Sequence, residues 1–123
     1  MAQLNHPYGV FVSNGEVFIA DGNDRVRKVL GNGQIVTICG TGIPGYNGDD
    51  QLATNAQLNS PCAVVVSSSD QVYISEWSGH RIRKIDRRGI ITTIAGNGIQ
   101  GSSLNFPASV FQYKHEIYIA DSS

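Results

Sequence analysis

The sequence has little charge, few aromatic residues and no long apolar segment. Charged residues make up 15% of the 123 positions, and nine Lys and Arg residues stand against ten Asp and Glu residues, so the formal net charge is −1. This balance argues against a protein whose main work is a non-specific grip on phosphate backbones or anionic membranes. The longest uninterrupted apolar run is 62–66, far below the roughly 20 residues that a membrane-spanning helix needs. We therefore predict no membrane span.

The sequence also has few cysteines and lacks the common catalytic motifs. Cys39 and Cys62 are too few for a disulfide scaffold and lack the paired Cys and His spacing of a zinc site. We interpret them as buried or half-buried free thiols, with a disulfide as the alternative. There is no HExxH, GxSxG or P-loop sequence, so neither zinc chemistry nor an activated nucleophile has support here. Nothing in the sequence indicates a cellular compartment.

What the sequence does contain is a repeat. A Leu-Asn-x-Pro start is followed each time by an apolar run and then by a second apolar run that ends in an acidic residue. The starts lie at 4–7, 58–61 and 104–107, and the second runs lie at 17–21, 72–76 and 117–121. The first two copies continue with a basic run at 25–29 and 81–85 and a further apolar run at 33–42 and 89–98. The chain therefore holds two full units and about half of a third.

Each unit is predicted to form four short antiparallel strands. Runs of Val, Ile, Phe, Tyr and Thr alternate with turn sequences such as Ser-Asn-Gly and Gly-Asn-Asp, and no helical period competes with them. A repeating four-stranded unit is typical of a β-propeller blade, which buries its faces only against neighbouring blades. We therefore predict an all-β fold, with blade 1 at 4–42, an inter-blade insert at 43–57, blade 2 at 58–98 and half of blade 3 at 104–123.

The repeat resembles a known family. Pro-x-Gly-Val at 7–10, Ile-Ala-Asp at 19–21, Asn23, Arg25 and Arg-Lys-Val at 27–29 are similar to the NHL repeat. The second copy is similar to it as well, with Ala63 in place of the glycine and Glu76 in place of the aspartate. The segment 45–61 resembles the long-linker form of that repeat, which is found in bacterial and protist propellers and in the NHL domain of teneurins. The resemblance implies propeller blades of the NHL type. Closed propellers need about four to eight blades, so we expect an incomplete propeller whose missing blades come from the same longer chain or from self-association.

An incomplete propeller leaves blade faces uncovered. Aliphatic side chains of the strands would then be exposed beyond what a soluble monomer tolerates. We expect this of Val10, Val12, Val64, Val66, Ile74 and Ile119.

The blade geometry gathers acidic side chains on one face. Alternating strand directions place the turns between the second and third strands, and the connections between blades, on the same face, which we call the loop face. Six acids and two arginines fall there: Asp21, Asp24, Asp49, Asp50, Glu76 and Asp121, with Arg25 and Arg81. We expect Asp21 to pair with Arg25, and Glu76 with Arg81, across the turn. The alternative is that these acids line the propeller mouth and bind a cation or a basic ligand.

The insert and the turn of blade 2 hold further candidates. Trp77 is predicted to project from the loop face, either as a contact anchor or packed against the adjacent blade, and Tyr46 has the same two interpretations. Asn47, Asp49 and Asp50 offer oxygen ligands for Ca²⁺, although their spacing differs from that of an EF-hand loop. The alternative is that solvated carboxylates cap a short helix around 52–56.

The third strand of each full unit is basic. The patterns Arg25-x-Arg27-Lys28 and Arg81-x-Arg83-Lys84 are compatible with a stripe for single-stranded RNA, which some NHL propellers bind. We instead expect the stems of these side chains to cover apolar surface while their charges stay in water. The charges of the chain nearly cancel and the electrostatic footprint of an RNA-binding protein is missing, so nucleic acid is not the expected partner.

The sequence favours a non-enzymatic scaffold that binds a protein or a small molecule at the loop face. The candidate binding residues are Asp21, Arg25, Tyr46, Asp49, Asp50, Glu76, Trp77 and Arg81. One alternative is part of a propeller hydrolase or lyase whose catalytic residues lie outside this chain, and another is a single-stranded RNA-binding domain. We predict no catalytic residue and no cofactor in this chain, apart from the calcium alternative.

Overall fold

The computed structural model describes residues 3–122, which form three antiparallel β-sheets. Blade 1 has the strand order β1-β2-β3-β4, formed by β1 (Gly9–Ser13), β2 (Glu16–Asp21), β3 (Arg25–Val29) and β4 (Ile35–Cys39). The second sheet has the order β5-β9-β8-β7-β6. Its strands are β5 (Gln51–Leu52), β6 (Pro61–Val66), β7 (Val72–Glu76), β8 (Arg81–Ile85) and β9 (Ile90–Ala95), of which β6 to β9 are blade 2. Blade 3 pairs β10 (Pro107–Tyr113) with β11 (Glu116–Asp121). These sheets confirm the predicted all-β fold of an incomplete propeller, and no helix within residues 3–122 is long and apolar enough to cross a membrane.

Turn residues in the sequence set the pairing of the strands. Asn14 and Gly15 join β1 to β2 with φ angles of 51° and 77°. A two-residue hairpin turn of this kind needs positive φ at both central residues, which Asn and Gly adopt at small cost. The resulting register pairs Val10 with Ile19 and Val12 with Val17, so these apolar side chains share one side of the sheet.

The insert adds a strand to the outer edge of blade 2. Gln51 and Leu52 form β5, which pairs antiparallel with Ile91 and Ile90 of β9. This pairing keeps Leu52 extended (φ −60°, ψ 133°), so the helical part of the insert is one 3₁₀ turn at Ala53–Asn55 with no acidic residue in it. The expectation that the insert carboxylates cap a short helix is therefore wrong, because the residues before that turn are taken up by the sheet.

The apolar cores lie between the blades. The larger core joins blade 1, blade 2 and the 3₁₀ turn of the insert. Its buried members are Phe18, Ala20, Val26, Cys39, Ala53, Ala56, Leu58, Val64, Val72, Ile74, Ile85 and Ile91. A smaller core of Val65, Tyr73, Ile82 and Val110 joins blade 2 to blade 3. Each blade thus buries a face against its neighbour, as propeller blades do.

Two blade faces of the described chain are open. Blade 1 presents Val10 and Val12, which are 69% and 65% exposed, on the side away from blade 2. Blade 3 presents Phe111, Tyr113 and Tyr118, all more than half exposed, on the side away from blade 2. We call the first surface the head face and the second the tail face.

The expected exposure of aliphatic residues holds for only part of the set. Val64 and Ile74 are buried, because their side of blade 2 faces blade 1 in the larger core. Val66 and Ile119 are half-buried at the edges of the two cores. Of the six residues, only Val10 and Val12 are therefore mostly exposed, and both lie on the head face.

Candidate binding site on the loop face

Three acidic residues anchor the segments that lead into the blades. Each accepts a hydrogen bond at 2.7 Å from the backbone N–H of the Asn that starts its repeat: Asp21 from Asn5, Glu76 from Asn59 and Asp121 from Asn105. Asp21 and Glu76 are also buried. These two carboxylates lie beneath the loop face, where they bind the backbone of the segments that lead into the blades, and they are not accessible at its surface.

Each buried carboxylate faces an arginine of the third strand. Glu76 Oε2 lies 3.2 Å from Arg83 Nη1, and Asp21 Oδ2 lies 3.9 Å from Arg27 Nη1. Arg27 Nη1 also donates to the Gln3 carbonyl at 3.2 Å. The two full repeats therefore place a carboxylate and a guanidinium together at the same position.

Arg25 and Arg81, the predicted partners of these carboxylates, bind elsewhere. Arg25 Nη2 donates to the Thr41 carbonyl at 3.0 Å, and Arg81 Nη2 donates to the Asn97 carbonyl at 3.1 Å. Both arginines begin a third strand, next to the segment that leaves the fourth strand, and the backbone carbonyls of that segment capture the guanidinium groups. The predicted ion pairs are therefore wrong, because Asp21 and Glu76 face Arg27 and Arg83 and not Arg25 and Arg81.

Arg83 is fully buried and binds two carboxylates. Besides its contact with Glu76, its Nη2 donates to Asp49 Oδ1 at 2.8 Å and to the Gly48 carbonyl at 3.1 Å. Burial raises the pKa of Glu76, and the charge of Arg83 opposes that rise. The expectation that third-strand charges stay in water is wrong for Arg83 and for Arg27, both of which are buried. Buried guanidinium groups cannot reach RNA phosphates, so these residues do not support the RNA alternative.

A small cluster clamps the insert onto blade 2. The Arg81 guanidinium carbon lies 3.7 Å from the centroid of the Tyr46 ring. The Tyr46 hydroxyl donates to Asp49 Oδ2 at 3.4 Å, and Asp49 Oδ1 accepts from the Thr93 hydroxyl at 3.0 Å. The structure thus brings three of the candidate residues together, Tyr46, Asp49 and Arg81, in contacts that position the insert.

Asn47 organises the turn of the insert. Its Oδ1 accepts from the Gln57 N–H at 2.8 Å and from Gln51 Nε2 at 3.0 Å. The side chain of Asp50 is exposed, on a backbone with a φ of 58°. Within residues 3–122, no three His, Cys, Asp or Glu side chains lie together as metal ligands would. A calcium ion at Asn47, Asp49 and Asp50 would have to compete with the bonds that already use the first two.

Trp77 packs on one side and faces solvent on the other. Its ring centroid lies 5.3 Å from that of Phe106, in the segment that leads into β10. Phe106 in turn meets the His80 ring edge-on at 4.5 Å. The indole therefore packs against the adjacent blade, while 40% of Trp77 stays exposed. Its role as a contact anchor stays a prediction.

Hydrogen bonds across the turns link each blade to the next. Asp24 Oδ1 accepts from the Ser60 N–H at 2.8 Å, and His80 Nδ1 accepts from the Phe106 N–H at 3.0 Å. Asp24 and His80 both directly precede a third strand and share positive φ angles of 63° and 51°. The inter-blade link therefore uses a carboxylate at one interface and an imidazole at the other.

A cavity of about 410 Å³ opens at the loop face between blades 1 and 2. It is lined by Tyr8, Gly22, Ser60, Cys62 and Trp77. Tyr8 is 71% exposed, so two aromatic rings are accessible beside the cavity. Of the candidate residues, Trp77 alone lines it.

Sequence reasoning missed Tyr8, Ser60 and Cys62 as site residues. Tyr8 and Cys62 occupy the same position in successive repeats, directly after the Pro of the Leu-Asn-x-Pro start. Tyr8 directly precedes β1 and Cys62 lies in β6, the innermost strands of their blades, and innermost strands surround the axis of a propeller. The repeat alignment itself was therefore the signal that could have found them.

The two cysteines are free thiols, as predicted, with Cys39 buried and Cys62 half-buried. Burial raises the pKa of Cys39 to about 12. Burial also raises the pKa of Cys62, whose Sγ lies 3.2 Å from Ser75 Oγ and donates to the Pro107 carbonyl at 3.3 Å. Neither thiol has the lowered pKa of a reactive nucleophile.

Comparison with known proteins identifies sequence relatives. Residues 44–115 match the family described as "Teneurin NHL domain". The chain is 38% identical over 91 residues to NHL repeat-containing protein 2 of Gallus gallus and 35% identical over 76 residues to Teneurin-m of Drosophila melanogaster. The alignments cover 72% and 62% of this chain but only 12% and 3% of those relatives, so the chain spans a small part of their length.

Solved structures share the fold. A Bacteroides thetaiotaomicron protein of unknown function matches with a TM-score of 0.80 at 22% identity, over 99% of this chain and 34% of that chain. Virginiamycin B lyase of Staphylococcus aureus matches with a TM-score of 0.66 at 20% identity, over 94% of this chain and 34% of that chain. At these identities the likeness concerns the fold alone.

Proposed function

The chain belongs to the NHL-repeat family described by the teneurin NHL domain, and from this premise we propose that it is a non-enzymatic binding module that holds a protein ligand at the loop face. Propeller folds host both binding proteins and enzymes, so the argument rests on the site and not on the fold. The observation that carries the proposal is the cavity between Tyr8 and Trp77.

The cavity suits an apolar side chain of a protein ligand. Its volume of about 410 Å³ lies within the usual range for ligand pockets, roughly 300–1,000 Å³. Trp and Tyr dominate the binding energy of many protein interfaces, because they bury a large apolar area and still carry a polar group. An extended segment could place an aromatic or aliphatic side chain between Tyr8 and Trp77.

The walls of the cavity are held by contacts that exist without a ligand. Trp77 is backed by Phe106, and its backbone N–H donates to the Ser60 carbonyl at 2.8 Å. Cys62 is held through its bonds to Ser75 and to the Pro107 carbonyl. A pre-organised wall lowers the entropy cost of binding, which favours a ligand that docks without rearranging the loops.

The remaining candidate residues support this surface from behind or from the side. Asp21 and Glu76 are buried beneath it, and Tyr46, Asp49 and Arg81 fix the insert at the outer edge of blade 2. The alternative of a hydrolase or lyase with catalytic residues outside this chain stays a prediction that no residue of this chain tests.

The fluorescence of Trp77 tests the proposal, because it is the only tryptophan of the chain. The probes are the N-acetyl amides of Phe, Leu, Asp and Lys, titrated into dilute protein. We expect the Phe and Leu amides to shift the emission to shorter wavelength and to saturate, and the Asp amide to have no effect. Tyr8→Ala should weaken binding of the Phe amide about tenfold, since loss of an interface anchor costs more than about 1 kcal/mol.

The matched control is Tyr113→Ala, which removes another exposed tyrosine outside the cavity. It should leave the titration with the Phe amide unchanged. A silent Trp77 with all four probes, or the same loss of affinity in both variants, would contradict the proposed site.

A further inference from the structure

We propose a second binding site, on the face opposite the loop face, that holds a small molecule with an apolar body and a cationic amine. The site is a cavity of about 450 Å³ between blades 1 and 2. It lies beside the turns that join β1 to β2 and β6 to β7, at the other end of the strands from Tyr8 and Trp77. Blade 1 and blade 2 each contain four paired strands, so the cavity lies between two whole blades.

The floor of this cavity is apolar. Three buried side chains of the larger core line it, together with two that are half-buried at the edge of that core: Phe18, Val72 and Ile85, then Ile38 and Val66. The volume lies within the usual range for small-molecule pockets, roughly 300–1,000 Å³. Because removal of apolar surface from water drives binding, such a floor favours a ligand with an apolar body.

The charged groups on the rim are two carboxylates and one amine. Lys28 Nζ lies 2.9 Å from Glu16 Oε1 and 5.4 Å from the centroid of the Phe18 ring, so Glu16 balances its charge on the wall of blade 1. Asp70 lies on the wall of blade 2 and is exposed. None of the ion pairs formed within residues 3–122 uses Asp70. The rim therefore has a net negative charge that the amine of a ligand would balance.

The fold itself does not require these two carboxylates, because the equivalent cleft between blades 2 and 3 has other residues in their places. Counted back from the acidic residue that ends each second strand, Gln71 stands where Glu16 does, and His115 where Asp70 does. Both line the second cleft, together with Lys114, and no carboxylate of the described residues lines it. A charge that every blade needed would recur at each interface. The acidic rim is therefore specific to the cavity between blades 1 and 2, which is what ligand recognition requires.

Titration of the full chain, followed by the chemical shifts of its backbone amides, tests the proposal. The probes are 2-phenylethylamine, 2-phenylethanol and phenylacetate, which share a phenyl ring and differ in the charge at the other end. We expect 2-phenylethylamine to shift the amides of Asn14 and Gly89, which line the cavity. It should bind about threefold more tightly than the alcohol, the size expected for one exposed ion pair, and phenylacetate should bind most weakly.

Asp70→Asn should lower the affinity for 2-phenylethylamine about threefold and leave the affinity for 2-phenylethanol unchanged. Asp50→Asn is the matched control, because Asp50 is also exposed and has a similar φ, 58° against 62°, but lies in the insert outside the cavity. Asparagine tolerates both backbone conformations. Equal affinities of the wild-type chain for the three probes, or equal losses in the two variants, would overturn the proposal.

Two further measurements distinguish this cavity from other sites for the same probe. Tyr8→Ala, which alters the cavity on the loop face, should leave the shifts of Asn14 and Gly89 unchanged. Shifts that disappear in Tyr8→Ala would place the amine at the loop face and overturn the second site. N-acetyl-lysine amide carries the same ammonium group on a peptide. If it bound more tightly than 2-phenylethylamine, the site would take a protein side chain and the small-molecule proposal would be wrong.

Discussion

Arg83 Nη2 lies 2.8 Å from Asp49 Oδ1, so a guanidinium buried in blade 2 binds a carboxylate that comes from the insert. The other end of the guanidinium binds Glu76, which in turn holds the start of the same repeat through the Asn59 N–H. The insert, the third strand and the lead-in segment are therefore connected through one buried charge. A buried charge that loses a partner is costly, which makes this connection testable by small changes.

Asp49→Asn should lower the free energy of unfolding by about 1–3 kcal/mol, because it weakens a charge-assisted hydrogen bond to a buried group. Asp50→Asn is the matched control, since Asp50 is the exposed neighbour and Asn tolerates its φ of 58°. It should change the stability by less than about 0.5 kcal/mol. Urea denaturation of both variants gives the comparison, and equal effects would mean that the contact between Arg83 and Asp49 contributes little.

Calcium should leave the thermal midpoint of the wild-type chain unchanged. The Oδ1 atom of Asn47 already accepts two hydrogen bonds, and Asp49 Oδ1 accepts from Arg83 and Thr93. A ligand that binds the native state raises its stability by mass action, so a calcium series in differential scanning calorimetry is a sensitive test. A midpoint that rises with calcium, and fails to rise in Asp50→Asn, would instead establish the calcium site at the insert.

The two thiols should react with a maleimide at different rates in the native protein. Cys39 is buried in the larger core, whereas Cys62 is half-buried and lines the cavity. Because the thiolate is the reactive form and burial raises the pKa of both thiols, Cys62 should react slowly and Cys39 only on unfolding. Mass spectrometry of timed samples, with and without urea, identifies the labelled residue. Labelling of Cys39 at the rate of Cys62 would show that the larger core opens.

The fold could be predicted from local sequence signals, because these signals act within a single hairpin. The pair Asn14 and Gly15 selects its turn without reference to the rest of the chain, and the repeat then places the same strand pairs in blade 2. The two-residue strand β5 was missed since Gln51 and Leu52 carry no strand signal of their own and pair only because β9 offers a free edge.

The site was harder to predict than the fold, because it depends on which of several equivalent side chains meets a given group. Arg81 and Arg83 lie on the same side of β8, and the sequence does not say which of them reaches Glu76. The cavity joins Tyr8 of one repeat to Trp77 of the next, so it exists only once the blades are stacked.

Raising the pH above about 9 should reduce the difference in the free energy of unfolding between the wild-type chain and Cys39→Ala. The pKa of Cys39 rises from 9.0 to about 12 on folding, so the native state holds its proton when the unfolded chain has lost it. The contribution of this group is fully present below about pH 9 and is lost as the pH rises towards about 12. Across that window the difference should shrink by about 1.4 kcal/mol per pH unit. Urea titrations at several pH values measure it, and a constant difference would contradict the assigned burial.

His80→Asn should preserve the link between blades 2 and 3 better than His80→Ala. The Phe106 N–H donates to His80 Nδ1 at 3.0 Å, and an asparagine carbonyl at this position could accept the same bond, as Asp24 does at the preceding interface. Asn also tolerates the φ of 51° at His80. Alanine leaves a half-buried donor unpaired, which should cost about 1–3 kcal/mol in unfolding free energy.

Hydrogen exchange at the Phe106 amide reads out the link itself, apart from global stability. Exchange should accelerate in His80→Ala and stay close to the wild-type rate in His80→Asn, since the hydrogen bond is what protects this amide. The Ser60 amide, held by Asp24, is the internal control and should keep its rate in both variants. If both amides exchange faster together, the loss lies in the stacking of the blades and not in the acceptor at position 80.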